Sequence, residues 1–261
     1  MNLLQGKKAL VFGVANERSI AWGIARAFKE QGATIGLSYA GEALQRRVIP
    51  LAESIACTFV EPCDVTKDEE IQRVASKAGE RFGEIDILVH AIAFAGREEL
   101  SGPTYDTSRE GFHRAMDISV FSLIALAKAF QPLLQPGGSV LTLTYYGSEK
   151  VSPNYNVMGV AKAALEASVR YLAYDFGQQG VRVNAISAGP VRTLSAAGVA
   201  GFKAMYRRFA ELTPLHENIS PEDVGNAAVF LCSDLSTKTT GEVLFVDSGY
   251  NILGFTEPLP E

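Results

Sequence analysis

Cysteine is scarce in this sequence, and there is no excess of positive charge. The three cysteines, Cys57, Cys63 and Cys232, are an odd number without C-x-x-C spacing, which indicates neither a disulfide framework nor a zinc site. The 24 basic and 29 acidic residues leave a net charge of −5, so the chain as a whole offers no basic footprint for nucleic acid or an anionic membrane. A small-molecule ligand in a reducing compartment is the expectation that remains.

Long hydrophobic runs are missing as well. From Met1 through Gly6 the amino terminus lacks the apolar core and cleavage site of a signal peptide, so we expect no export. The uncharged stretch 118–127 is too short to span a bilayer, and the next one is broken by Pro132 and Pro136. These absences predict a soluble cytoplasmic protein that contacts no membrane.

The motifs of metal sites and hydrolases are also absent. His90, His113 and His216 have no ligand-like spacing with one another or with the cysteines, so no metal site is expected. The G-x-S-x-G elbow of a Ser-His-Asp hydrolase does not occur, which sets hydrolysis aside.

What the sequence does contain is an alternation of short β-branched runs with longer helical patterns along most of its 261 residues. Such alternation is typical of βαβ units, and continuous apolar runs are what strands buried on both faces require. We therefore predict one α/β domain over 1–261, a Rossmann-like doubly wound fold with a seven-stranded parallel sheet. The predicted strands are 9–12, 34–38, 58–61, 85–91, 139–144, 181–186 and 243–246.

Two stretches depart from the alternation, and both follow predicted strands. One is 93–107, rich in Gly, Ser and Thr, and the other is 188–201, which has few bulky side chains. Ligands of open α/β sheets bind outside the carboxyl ends of the strands, so loops at that edge are expected to belong to the site. We predict that residues 188–201 form a substrate loop.

The first predicted strand leads into a turn that begins at Gly13 and reaches Ser19 at the expected start of a helix. Such a junction aims backbone N–H groups at one point where a phosphate can sit, and Ser19 can also cap the helix. Ala15 replaces the second glycine of the usual G-x-G-x-x-G pattern. The turn alone is thus open to two interpretations, a structural turn or a dinucleotide site, and its place after strand one favours the second.

Tyr155 and Lys162 form a second pattern on a segment of helical character. Seven residues are close to two helical turns, so the phenol and the ammonium are expected on one face. A cation beside a phenol lowers the pKa of the phenol and makes it a better proton donor to a developing oxyanion. Taken alone, the pair also fits a core tyrosine and a solvated lysine.

Together, the parallel sheet, the turn after strand one and the Tyr-x6-Lys pattern after strand five resemble the short-chain dehydrogenase/reductases. Three motifs depart from the common pattern of that family: Gly13-x5-Ser19-x-Ala21, Tyr155-x2-Met158-x3-Lys162, and 188–193, where Gly-Pro replaces Pro-Gly. With these departures the chain resembles, from Gly6 to Asp247, the divergent branch of NADH-dependent enoyl-[acyl-carrier-protein] reductases of bacterial fatty-acid synthesis.

The resemblance implies hydride transfer from NADH to the β-carbon of a trans-2-enoyl thioester, followed by protonation at the α-carbon. The implied catalytic residues are Tyr145, Tyr155 and Lys162, with a hydrogen bond from Tyr155 to the thioester oxygen. The implied cofactor contacts are Gly13, Ser19, Ile20, Asp64, Val65, Ile92, Lys162, Val191, Arg192, Thr193, Leu194 and Ser195. The implied substrate contacts are Ala95, Tyr145, Tyr155, Ala196 and Met205, and the last two would also lie near a hydroxylated diphenyl ether inhibitor.

Cofactor choice depends on the end of strand two. Neither Ala40 nor Gly41 is basic, so NADH is expected over NADPH, although Arg46 and Arg47 would favour a 2′-phosphate. The family often has a polar side chain where this chain has Ala40, and a glycine where it has Ala93.

The resemblance also implies macromolecular partners. An acidic acyl carrier protein would deliver the substrate, and Lys203, Arg207 and Arg208 are candidates for its docking surface, although a solvated helix face explains them equally well. The family is usually a homotetramer, and a small-residue face suits close helix packing between subunits. That face consists of Ala125, Ala129, Ala163 and Ala167.

Two other functions remain as alternatives. A 3-oxoacyl or other carbonyl reductase of the same superfamily usually has a serine about a dozen residues before the tyrosine, where this chain has Thr142. A non-catalytic dinucleotide-sensing protein on the same fold is a second possibility, which the intact Tyr155 and Lys162 disfavour.

Overall fold

A computed structural model describes residues 2–194, 196–198 and 201–254, and of Ala197 only the backbone. Its described part forms one α/β domain around a seven-stranded parallel sheet with strand order β3-β2-β1-β4-β5-β6-β7. The strands are β1 Lys8–Phe12, β2 Thr34–Tyr39, β3 Phe59–Pro62, β4 Ile85–His90, β5 Leu134–Thr144, β6 Arg182–Ala188 and β7 Val243–Val246. The predicted fold class is confirmed.

Helices cover both faces of the sheet. Their bounds are α1 Ile20–Glu30, α2 Glu42–Ser54, α3 Asp68–Phe82, α4 Arg109–Met116, α5 Ser122–Phe130, α6 Asn156–Gly177, α7 Phe202–Leu212 and α8 Pro221–Cys232. A π-helical turn, Asp117–Phe121, joins α4 to α5.

The apolar strand runs are explained by two separate cores, one on each face of the sheet. Val11 and Val89 pack with α1, α2 and α8 on one side, whereas Leu10 and Leu88 pack with α3, α5 and α6 on the other. Successive strand side chains alternate between these cores, so both faces of each central strand must be apolar.

One helical run is long and apolar enough, by length and composition, to cross a membrane. It covers 109–133, and the expectation drawn from the uncharged stretch 118–127 missed it because α4, the π-helical turn and α5 are continuous. Leu123, Leu126 and Phe130 have no exposed surface and belong to the core beside α3 and α6. The run is a core helix of the domain.

A side chain caps the start of α8 but not the starts of α3 and α1. Ser220 and Asp223 make a reciprocal capping box at α8. Thr66, just before α3, forms no capping box, and its hydroxyl donates to Asp64 Oδ1 at 2.7 Å. Ser19 does not cap α1 either, because its hydroxyl donates to the Asn16 carbonyl at 2.7 Å.

The strand order places a crevice at the carboxyl edge of the sheet. β1 lies between β2 and β4, so the chain crosses over in opposite directions on either side of β1. Ligands of doubly wound sheets bind at such a switch point. The turn after β1, the loop after β4 and the end of β5 all meet at this edge.

Candidate active site

The turn after β1 is shaped by Gly13. Its φ is +102°, and a Cβ at this position would collide with the backbone carbonyl of Ala91, which follows β4. The Gly13 N–H donates to the Ser38 carbonyl of β2 at 3.2 Å. Only glycine therefore allows the ends of β1 and β4 to approach this closely.

From Gly13 the chain reaches the start of α1 through a loop that is held by internal hydrogen bonds. Ser19 is buried beside this loop, and the Arg18 N–H donates to Asn16 Oδ1 at 2.9 Å. Helix α1 begins at Ile20, and its first backbone N–H groups have no partner within the helix. This loop and helix start together have the form of an anion site.

A cavity of about 410 Å³ lies next to this loop. Three arginines from separate parts of the chain line it, Arg18, Arg47 and Arg192. Arg18 lies 3.8 Å from the Glu17 carboxylate, which also lines the cavity, whereas in the described part of the chain no carboxylate lies within 4 Å of Arg47 or Arg192. The cavity therefore fits a polyanion such as the pyrophosphate of a dinucleotide.

The remaining predicted cofactor residues lie at the same edge of the sheet. Thr193 and Leu194 line the cavity, and Val191 is buried just after β6. Asp64 follows β3, where hydrogen bonds from Thr66 lower the pKa of its carboxyl. Val65 is buried and Ile92 half-buried, whereas Ser195 lies outside the described residues.

The loop after β4 is tied to the start of α6 through the π-helical turn. The Phe94 N–H donates to Ser119 Oγ at 3.0 Å, and Ser119 Oγ approaches Met158 Sδ at 3.9 Å. Ser119 is fully buried. Ala95, a predicted substrate contact, thus lies half-buried in a loop anchored beside α6.

The two predicted catalytic tyrosines lie against each other. The rings of Tyr145 and Tyr155 meet edge to face, with centroids 4.9 Å apart, and the Tyr145 hydroxyl lies 3.4 Å from Ser152 Oγ. A Cβ on Gly147 would lie 2.7 Å from the Tyr155 ring, so this glycine permits the approach. Tyr155 immediately precedes the first residue of α6.

Tyr146 faces away from this pair. Its ring packs edge to face on Phe245 and Tyr250, and its hydroxyl donates to the Asn251 carbonyl at 3.2 Å. Tyr146 therefore has a packing role behind the site.

Lys162 lies one helical turn and a half into α6 and is 5% exposed. Its Nζ donates to the Leu143 carbonyl of β5 at 2.7 Å, and no carboxylate in the described part of the chain lies within 4 Å of it. Burial lowers the pKa of Lys162 to about 8, against the opposing effect of Glu166. An ammonium with one carbonyl partner fits the hydroxyls of a ribose.

The expected lowering of the Tyr155 pKa by Lys162 is wrong. The pKa of Tyr155 is raised, first by burial and then by Tyr145. The physical reason is that burial disfavours the phenolate, while the Lys162 ammonium bonds to the Leu143 carbonyl. Tyr155 is thus a neutral hydrogen-bond donor at neutral pH.

Sequence reasoning missed the polar network around Lys162. His90 is fully buried with Nδ1 2.8 Å from Thr142 Oγ1 and Nε2 2.7 Å from Ser122 Oγ. Burial lowers the pKa of His90 to about 3, with a contribution from Lys162. On α6, buried Glu166 accepts from Thr144 Oγ1. The i, i+4 spacing of Lys162 and Glu166 was the sequence feature that could have indicated the Glu166 part of this network.

Helix α7 borders the site next to the loop that follows β6. The Arg192 guanidinium stacks 4.3 Å above the Tyr206 ring, which links the loop after β6 to α7. Met205 and Ala196, both predicted substrate contacts, are half-buried here. Arg192 therefore borders both the anion cavity and the helix that carries Met205.

Fold and site define a dinucleotide-binding α/β protein of the short-chain dehydrogenase/reductase type. The family model described as "Enoyl-(Acyl carrier protein) reductase" matches residues 13–251. The chain is 54% identical over 252 residues to "Enoyl-[acyl-carrier-protein] reductase [NADH] 1" of Rhizobium meliloti, covering 97% of this chain and 93% of that protein.

Solved structures agree with this match. A crystal structure of the enoyl-[acyl-carrier-protein] reductase (NADH) of Aquifex aeolicus superposes with a TM-score of 0.95 at 52% identity, covering 97% of this chain and 99% of that one. The Bacillus cereus enzyme, crystallised with NADP+ and indole naphthyridinone, gives 0.96 at 54% identity, with 98% and 100% covered. The chain belongs to the enoyl-[acyl-carrier-protein] reductase family.

Proposed function

We propose that the chain reduces the trans-2 double bond of enoyl-acyl-carrier-protein thioesters with NADH, the last reductive step of fatty-acid elongation. Family membership supports this activity. The observation that carries it is the edge-to-face contact of the Tyr145 and Tyr155 rings, with centroids 4.9 Å apart, at the edge of the sheet that holds the anion cavity. Lys162 is buried in the helix that follows Tyr155 and bonds to the Leu143 carbonyl, two residues before Tyr145.

Three observations support binding of the dinucleotide in the crevice: the Gly13 turn, the cavity lined by three arginines, and the buried Lys162 with one carbonyl partner. When bound, the reduced nicotinamide supplies a hydride to the β-carbon of the enoyl group. Residues proposed to hold the cofactor are Gly13, Ser19, Ile20, Asp64, Val65, Ile92, Lys162, Val191, Arg192, Thr193, Leu194 and Ser195.

Tyr155 stabilises the charge that develops on the thioester oxygen. Because burial raises the pKa of its phenol, the hydroxyl keeps its proton and donates a hydrogen bond to that oxygen. Tyr145 packs on the Tyr155 ring and fixes its orientation. Ala95, Met205 and, within the substrate loop 188–201, Ala196 are the proposed apolar contacts of the acyl chain.

Lys162 supplies the fixed positive charge. Its ammonium is protonated below about pH 8, where it binds ribose hydroxyls and stabilises negative charge on the substrate oxygen. Activity is expected to fall as pH rises through this pKa, because the neutral amine gives no such stabilisation.

NADH is the proposed cofactor in preference to NADPH. Relatives with 54% and 51% sequence identity are named as NADH enzymes. Neither Ala40 nor Gly41 offers a cation to a 2′-phosphate. Arg47, which lines the anion cavity, would favour the 2′-phosphate of NADPH, and the Bacillus cereus relative was crystallised with NADP+. The ratio of kcat/KM for the two cofactors measures the balance.

An acyl carrier protein is the proposed substrate carrier. Lys203, Arg207 and Arg208 are exposed on α7, the helix that also carries Met205. Arg208 pairs with Glu211 at 3.2 Å, whereas Lys203 and Arg207 have no carboxylate within 4 Å in the described part of the chain. Their exposure on the helix that carries Met205 supports their proposed role as the docking surface for an acidic carrier.

We also propose a cytoplasmic homotetramer. Large apolar side chains are exposed on the outer faces of the π-helical turn, α5 and α6, as a subunit interface requires: Phe121, Ile124, Val160, Tyr171 and Tyr174. Ala163 is exposed and Ala125 and Ala167 half-buried, whereas Ala129 is buried inside the subunit. Sedimentation as a monomer at micromolar concentration would contradict the tetramer.

A carbonyl reductase is the second candidate, and the position of Thr142 disfavours it. This residue is fully buried, and its hydroxyl is occupied by His90. The test follows NADH oxidation with crotonyl and acetoacetyl thioesters. Oxidation with the crotonyl thioester alone supports the enoyl reaction, and the reverse preference overturns it.

A further inference from the structure

Two buried groups of opposite charge on α6 contact the end of β5. Lys162 and Glu166, one helical turn apart, are 5% and 7% exposed. Lys162 Nζ donates to the Leu143 carbonyl at 2.7 Å, and Glu166 Oε1 accepts from Thr144 Oγ1 at 2.6 Å. These are the last two residues of β5 before Tyr145. Both charged groups thus hold the segment that carries Tyr145.

The negative charge of Glu166 calls for an explanation. Burying a carboxylate is unfavourable unless a compensating charge lies nearby. In the described part of the chain no Lys or Arg lies within 4 Å of Glu166, and the Thr144 hydroxyl would bond equally well to a neutral glutamine. The hydrogen bond alone therefore does not account for a carboxylate here.

Lys162 is the group on which this charge acts. Burial lowers the pKa of Lys162 to about 8, and Glu166 raises it against that effect. The other titratable group that interacts with Lys162 is His90 on β4, whose own pKa of about 3 keeps it neutral. Among the described residues, Glu166 is thus the charged group that opposes deprotonation of Lys162.

We propose that Glu166 is a positioning residue of the reaction, whose carboxylate keeps the Lys162 ammonium charged and holds Thr144 so that Tyr145 stays against Tyr155. This rests on the proposed function for its catalytic consequence. The electrostatic link between Glu166 and Lys162 is a property of the ligand-free protein, so it can be measured separately.

The test substitutes Glu166→Gln, which keeps size and the acceptor for Thr144 but removes the charge. Lysine labelled with ¹³C at Cε gives the titration of Lys162 in the ligand-free protein, with the signal identified by its loss in Lys162→Met. We expect the midpoint to fall by about one pH unit, because the substitution removes an opposite charge one helical turn away. The alkaline limb of kcat/KM for crotonyl thioester should move with it.

Asp175→Asn is the matched control, because it removes one negative charge from an exposed position on the same helix. It should leave both the midpoint and the pH profile unchanged. Glu166→Asp keeps the charge on a shorter side chain and should retain most of the wild-type midpoint, which keeps the test valid if the Gln variant folds poorly.

An unchanged Lys162 midpoint in Glu166→Gln, with activity lowered by the same factor at every pH, would overturn the proposal. A midpoint shift in Glu166→Asp as large as in Glu166→Gln would overturn it too. If the wild-type protein reduces no enoyl thioester while the midpoint moves as expected, the electrostatic link stands and the proposed function fails.

Discussion

Replacement of Gly13 by alanine tests the dinucleotide crevice at the position where the backbone has least freedom. The φ of Gly13 is +102°, which L side chains rarely adopt, and the added methyl group would collide with the Ala91 carbonyl. Gly137 offers a matched control, because its φ is +87° but a Cβ there would meet nothing within 4 Å.

The two substitutions separate conformational strain from collision. Positive φ costs an L residue about 1–2 kcal/mol, and this applies to both Gly13→Ala and Gly137→Ala. Overpacking adds about 1–3 kcal/mol at Gly13 alone, since a backbone carbonyl cannot move like a flexible side chain. We expect the free energy of unfolding to fall by about 2–5 kcal/mol in Gly13→Ala and by about 1–2 kcal/mol in Gly137→Ala.

Binding should distinguish the variants more sharply. Displacing the Gly13 turn removes at least one hydrogen bond to a charged phosphate, about 1.5–3 kcal/mol, so the Kd for NADH should rise by about 10- to 150-fold. Fluorescence titration with NADH measures this, alongside urea unfolding. Gly137→Ala should bind NADH like the wild type. A wild-type Kd in Gly13→Ala, with a stability loss no larger than in Gly137→Ala, would refute this account of the turn.

Three further predictions concern the tyrosine, the buried histidine and the carrier surface. Tyr155→Phe should lower kcat by about 10²-fold or more with NADH binding retained, because one oxyanion donor is lost; turnover at the wild-type rate would support a non-catalytic role. Below about pH 6.5 the unfolded chain protonates His90 while the folded chain, with a pKa of about 3, does not, so stability falls by up to about 1.4 kcal/mol per pH unit on acidification. In His90→Gln this contribution to the pH dependence of the free energy of unfolding should vanish, as measured by urea unfolding at pH 6.5 and pH 5. An unchanged pH dependence would contradict the prediction. Charge reversal of Lys203, Arg207 and Arg208 should raise KM for acyl-carrier substrate but not for an acyl-CoA analogue, and equal effects on both would refute the docking surface.

The topology could be predicted because the central strands β1, β2 and β4 are largely apolar runs buried on both faces. The main difference is β5, which begins at Leu134 rather than at residue 139. Pro136 and Gly137 indicate a break by their own preferences, but pairing with β4 continues across them through a register shift between Ile85 and Ile87. Pairing with β4 therefore overrides the local preference of Pro136 and Gly137. The residue pattern of a single strand does not reveal such pairing.

The candidate site was predictable where a motif sets the position of a residue along an element. Tyr155 and Lys162 follow from spacing, whereas Arg47 reaches the anion cavity only because α2 folds over the same edge of the sheet. The pKa of Tyr155 is raised by burial, and Glu166 is buried in the same helix; spacing along a helix does not show how deeply a side chain is buried.

The central claim is that a hydride from NADH is added to the β-carbon of an enoyl thioester. Turnover of crotonyl-acyl carrier protein with NADH deuterated at both C4 positions, followed by mass spectrometry of the product, tests it most directly. The account predicts a butyryl product with one deuterium, located on the β-carbon. A butyryl product without deuterium, or deuterium delivered only to a 3-hydroxybutyryl product from acetoacetyl thioester, would contradict it.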